Sequence, residues 1–151
     1  MHHASALDPA HASPDEATRA VTAVHGGAGP FAMAGWRMGA HALTALGLSR
    51  GSGDVDVVHI SPPSVQWSCI ADGVAAATGA SVGRLNLRRV DSADGTTRTE
   101  LRNRATGRAL VYRLAPGFAA RFADGPDGDL GAAGRAVLTL DDAEVFQSHT
   151  P

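Results

Sequence analysis

The sequence predicts an α+β domain: two or three helices packed on a small mixed sheet that ends in an antiparallel three-strand meander. Three observations carry this. Apolar residues at helical spacing, closed by Pro and Gly signals, fill residues 14–47 and 64–79. A β-rich run, Asp54 to Ile60, lies between them. Beyond Gly83 the pattern turns to short strand-like runs separated by Asp94-Gly95 and Thr106-Gly107 turns.

Order begins at Ser13-Pro14-Asp15-Glu16, a capping box with proline at the first helical position, and residues 1–13 read as a disordered lead. The first helix runs through Val21 and Val24 and stops at Gly26-Gly27. Three glycines between His25 and Pro30 let that backbone turn sharply or approach a ligand closely. The second helix runs from Pro30 or Phe31 to Gly47, with Phe31, Gly35, Met38, Ala42 and Leu46 facing the core and Arg37, His41 and Thr44 on another face. Gly35 and Gly39, one turn apart, present a smooth surface for close backbone packing.

The Asp54–Ile60 strand ends at Pro62-Pro63, and Ser64 caps a third helix from Val65 to Thr78, closed by Gly79. Leu85 to Val90, Thr97 to Asn103 and Ala109 to Leu114 are the three strands of the expected meander. Phe118 to Phe122 reads as a helical turn, Asp124 to Gly134 as a loop, and Leu140 to Phe146 as a short closing helix.

Composition narrows the function. The 151 residues suit one domain, here 14–151, with 44% hydrophobic and 19% charged residues. The net charge of −2 offers no footprint for nucleic acid, and no apolar run reaches the roughly 20 residues that span a membrane. Cys69 is the single cysteine, so no disulfide framework or all-cysteine zinc finger forms. All 13 basic residues are arginine, which excludes lysine Schiff-base chemistry. The first residues lack a basic and an apolar signal region, so a cytoplasmic location is expected.

The candidate site gathers around the start of the third helix. Gln66, Cys69 and Asp72 are three apart and share one stripe. His25 lies in the glycine-rich turn and His59 at the end of the strand, so a cleft where these ends meet would hold two imidazoles, a thiol, a carboxylate and an amide. In that cleft His25 is the expected acid/base group, Asp72 and Gln66 orient it, Cys69 is a catalytic group, ligand or wall, and His59 and Trp67 contact substrate. Arg84 and Asn86, flanked by Gly79 and Gly83, are expected anchors for an anionic metabolite, and Arg37 and Gln66 are expected substrate contacts, Arg37 alternatively pairing with Asp72 or across a dimer. His41 and His149 read as packing or surface residues.

Four blocks resemble the FmdE-like family, named for formylmethanofuran dehydrogenase, with its many stand-alone relatives. They are His25-Gly26 with Gly29-Pro30, Gly35-Trp36-Arg37-Met38-Gly39 and Leu46-Gly47; Cys69-Ile70-Ala71-Asp72 with Thr78-Gly79; Ser81 to Leu87; and Asn103 to Arg108. Their order and spacing agree over residues 20–116. The resemblance implies this family's fold and a homodimer, and its fuller cysteine and histidine set implies metal binding in other members. Here Gly27, Gly29 and Ala80 stand where the family pattern has histidine or cysteine, which marks a divergent branch. His25 and Cys69 are the candidate ligands left for a metal such as zinc or nickel, too few for a tightly held ion. The leading expectation is therefore a small-molecule enzyme of unknown reaction. The alternatives are a metal-, cofactor- or metabolite-binding module without turnover, and a dimeric accessory protein.

Overall fold

A computed structural model describes residues 6–122 and 129–151. Helix α1 spans Pro14–His25 and carries the expected capping box: the Glu16 amide donates to Ser13 Oγ at 3.1 Å, and the Ser13 amide to Glu16 Oε1 at 3.0 Å. It ends at Gly26, whose φ of 86° is left-handed. Helix α2 (Pro30–Ala45) follows Gly29, β1 spans Val55–Ser61, and α3 spans Val65–Thr78. Strands β2 (Leu87–Asp91), β3 (Arg98–Asn103) and β4 (Ala109–Leu114) come next. Short helices α4 (Phe118–Phe122), α5 (Leu130–Val137) and α6 (Asp142–Val145) precede β5 (Phe146–His149).

The fold is α+β, and the described residues form one five-stranded mixed sheet in the order β2-β1-β3-β4-β5. The β3-β4-β5 end is the antiparallel meander. Its membership differs from the expectation. The Leu85 segment pairs parallel with β1, Val57 opposite Leu87, and so stands at the other edge of the sheet. Helix α3 between them supplies the crossover that a parallel pair requires. The third meander strand is β5, which follows the segment expected to be a closing helix and shares only Phe146 with it. That helix shrinks to α6, and Phe146 to His149 instead pair with Leu114 to Val111, giving partners to the outer backbone groups of β4. The expected loop Asp124–Gly134 also changes: residues 123–128 lie outside the described residues, and α5 begins at Leu130, where Asp129 accepts from the Ala132 amide at 2.9 Å. Of the expected lead, residues 1–5 lie outside the described residues. Pro9–His11 form a 3-10 turn capped by Asp8, with Pro9 buried.

The α2–α3 crossing sets the geometry of the site. A Cβ on Gly35 would overlap the Ile70 carbonyl, and one on Gly73 the Ala32 carbonyl. The two backbones therefore touch, and each glycine's helix penalty of about 1 kcal/mol is offset by that contact. Met33, Met38, Ile70, Val74, Tyr112 and Phe118 form the solvent-free centre around it. Gly134 of α5 makes a similar approach to the Ala28 carbonyl, which presses α5 onto the glycine-rich loop. Among the described residues no helix is long and apolar enough to cross a membrane.

Candidate functional site

A cleft of about 560 Å³ opens between the His25–Ala32 segment, the first turns of α3, and the α4–α5 region. Its floor and walls include Gly26 to Pro30, Phe31, Gln66, Cys69, Phe122 and Leu130. The glycine-rich loop contributes backbone instead of side chains, because α1 must end and α2 begin within four residues. At the rim His25 Nδ1 lies 2.7 Å from Asp72 Oδ2. The imidazole is one-quarter exposed and the carboxylate about two-fifths. A carboxylate only accepts, so Nδ1 carries the proton of this bond, and Nε2 bonds no described residue.

Cys69 is 8% exposed, with its thiol 3.2 Å from the Gln66 carbonyl. Burial, and secondarily the Asp72 carboxylate, push its pKa up to about 12, so it stays a protonated thiol at neutral pH. Its side chain lines the cleft.

The structure thus brings together His25, Asp72, Gln66 and Cys69. It does not bring His59, Arg37, Arg84 or Asn86 to the cleft. His59 is fully buried, its ring between Thr99 Oγ1 and the Trp67 carbonyl, each at 2.8 Å. Burial, together with the nearby Arg89, lowers its pKa despite the opposing Trp67 bond, so it is a neutral, satisfied core group. Trp67 packs edge-on against Phe31, with ring centroids 5.5 Å apart, and so backs the cleft wall. Arg84 donates to the carbonyls of Gly79 and Gly51, and Asn86 Oδ1 accepts from the Ser81 amide. Both brace loops. Arg37 pairs with Asp142 and the Val137 carbonyl, not with Asp72. Phe122, Leu130 and Gly131 line the cleft unforeseen, since the sequence past Pro116 carries only short, weakly periodic runs.

A family model described as FmdE, molybdenum formylmethanofuran dehydrogenase operon, matches residues 24–147, most of the chain. The chain belongs to the FmdE family. No curated protein matches it. The matched span begins beside His25 and includes every side chain of the cleft described above.

The donor set of this FmdE-family chain does not fit a resident metal. A stable transition-metal site needs three or more deprotonated ligands. Among the described residues no three His, Cys, Asp or Glu side chains gather into such a group. Cys69 is buried with its thiol on the Gln66 carbonyl, and Asp72 is engaged by His25 Nδ1, which leaves His25 Nε2 as one donor atom. Gly27, Gly29 and Ala80 offer no donor side chain at all.

Proposed function

We propose that the chain is a small-molecule enzyme in which His25 is the acid/base group and Asp72 orients it. The observation that carries this is the 2.7 Å His25–Asp72 bond at the rim of a cleft walled by backbone. The bond holds one tautomer, leaves Nε2 as the base, and supports the positive charge once a proton is taken. Gln66 offers an amide donor and acceptor to the ligand, and Cys69 a neutral wall.

The ligand class follows from charge. Among the described residues no arginine lines the cleft, and the sequence of residues 123–128 contains no basic residue. An anion would leave water without a cationic partner, next to the Asp72 carboxylate. The proposal is therefore for an uncharged carbonyl or amide compound, proton transfer being the step His25 performs.

A panel of small uncharged ketones, aldehydes and amides in deuterated buffer, followed by proton NMR, tests it. The native chain should exchange protons next to the carbonyl of at least one compound, and His25→Ala should abolish that while staying folded. Saturable binding without exchange, lost in His25→Ala, would favour the binding-module reading. Exchange that survives His25→Ala refutes the role assigned here.

A homodimer is proposed as well. Val82 and Leu85 are 71% and 82% exposed, and Leu85 sits at φ 59°, a left-handed conformation that costs a leucine roughly 1–2 kcal/mol. A second copy covering this apolar loop would offset that cost. Light scattering at tens of micromolar should give twice the chain mass, and Leu85→Asp should return it to one.

A further inference from the structure

The face of α2 that carries Arg37, His41 and Thr44 borders a second groove, of about 490 Å³, remote from His25. Pro9, Pro14 and Ala17 form one wall, Leu138 and Asp142 the other. We propose that this groove is a binding site for a small organic carboxylate with a short apolar body.

The argument starts from a buried hydroxyl. Tyr112 is solvent-free, and its hydroxyl lies 2.7 Å from His41 Nδ1, its one partner among the described residues. Burial, reinforced by the Asp142 carboxylate, raises the tyrosine pKa, so the hydroxyl keeps its proton. That proton must be donated, since an unpaired buried O–H is costly. Nδ1 is the acceptor available, and it accepts only when unprotonated. The imidazole proton therefore sits on Nε2, which bonds no described residue. Edge contacts with Tyr112 and Phe146, at 5.6 and 5.1 Å between centroids, hold the ring in place. His41 shows the groove a fixed donor.

Arg37 and Thr44 complete the set, at i−4 and i+3 on the same face. The Arg37 side chain is 16% exposed and is held by the Val137 carbonyl and Asp142 Oδ1, both at 2.7 Å. Its carboxylate partner is 60% exposed at the first residue of a one-turn helix, so it can share the guanidinium with a second acceptor at small cost. Three donors on one stripe call for an acceptor-rich group. With His41 neutral and Arg37 already balanced by Asp142, a single negative charge suits the groove better than a dianion. The proline, alanine and leucine walls receive the apolar remainder of the ligand.

The test is a titration of the ¹⁵N-labelled full chain with benzoate at neutral pH, with sodium chloride and inorganic phosphate as controls. The free chain should show the His41 proton on Nε2. Benzoate should shift the His41 ring and Thr44 amide signals saturably, and neither control should reproduce this. Thr44→Val, an exposed and fold-neutral change, should weaken binding about fivefold, one hydrogen bond's worth. Arg37→Gln should weaken it tenfold or more. The proposal is overturned by a proton on Nδ1, by non-saturating shifts, by phosphate acting equally well, or by Thr44→Val binding like the native chain. Shifts confined to the His25 cleft would overturn it too, and would leave the reading of that cleft standing.

Discussion

Gly73→Ala tests the packing that holds the site together. The added methyl would overlap the Ala32 carbonyl, a backbone atom that cannot rotate away, so α2 and α3 must separate. A gap of about 0.5–1 Å forfeits a quarter to a half of each dispersion contact, and a buried Leu-sized side chain makes about 40–60 of them at ~0.1–0.2 kcal/mol. Losing a third of that is about 2.5 kcal/mol per side chain. Met33 and Ile70, both solvent-free at the crossing, feel it together, for about 5 kcal/mol. Alanine returns about 1 kcal/mol of helix propensity. The expected net loss is about 4 kcal/mol, a large share of the roughly 5–15 kcal/mol typical of a domain. Urea unfolding by circular dichroism reads it as a lowered midpoint at unchanged slope. Gly83→Ala is the control: nothing lies within 4 Å of its Cβ, and the change should stay within about 1 kcal/mol. A Gly73→Ala midpoint matching that of Gly83→Ala would refute the contact.

Three further outcomes are expected. His59→Ala strands the Thr99 hydroxyl and the Trp67 carbonyl, and should cost about 2–4 kcal/mol in the same assay while sparing ligand binding at the His25 cleft. Because the folded chain raises the Cys69 pKa from 9.0 to about 12, that contribution to stability is whole below pH 9 and erodes as pH rises toward 12, by about 1.4 kcal/mol per unit. Native Cys69 should accordingly resist alkylation at about pH 8 until urea unfolds the chain, and Cys69→Ala should flatten the alkaline decline that Tyr112, shifted in the same direction, does not cause. After dialysis against chelator and re-exposure to zinc or nickel, elemental analysis should find well under one ion per chain, and a stoichiometric ion would overturn the reading of the donor set.

Much of the site was legible before any tertiary contact was known. The capping box at Ser13, the stops at Gly26 and Gly79, and the Gln66-Cys69-Asp72 stripe are local signals, set by residues within a turn or two of one another. They placed His25 in a glycine-rich turn and Asp72 on the helix that it meets. The close helix packing expected from Gly35 was also readable, though its mate Gly73 was not. Roles that depend on a distant partner were not readable. His59 looks the same in sequence whether it faces a ligand or closes on Thr99, 40 residues away. Arg37 is expected to pair with Asp72 or across a dimer, and the tertiary structure gives it Asp142, 105 residues away.

The same division governs the sheet. Which segments are strands follows from their own alternation and turns, so the sequence by itself determined the three long helices, most of the strands and the α+β class. Strand neighbours are a matter of long-range pairing, where hydrogen bonds are alike at every register and burial decides. Only the tertiary structure put Leu87–Asp91 beside β1, paired Phe146–His149 with β4, and seated α5 on the loop that walls the cleft. Helix caps act over one turn; a sheet edge or a cleft wall depends on which surfaces remain to be covered once everything else has packed.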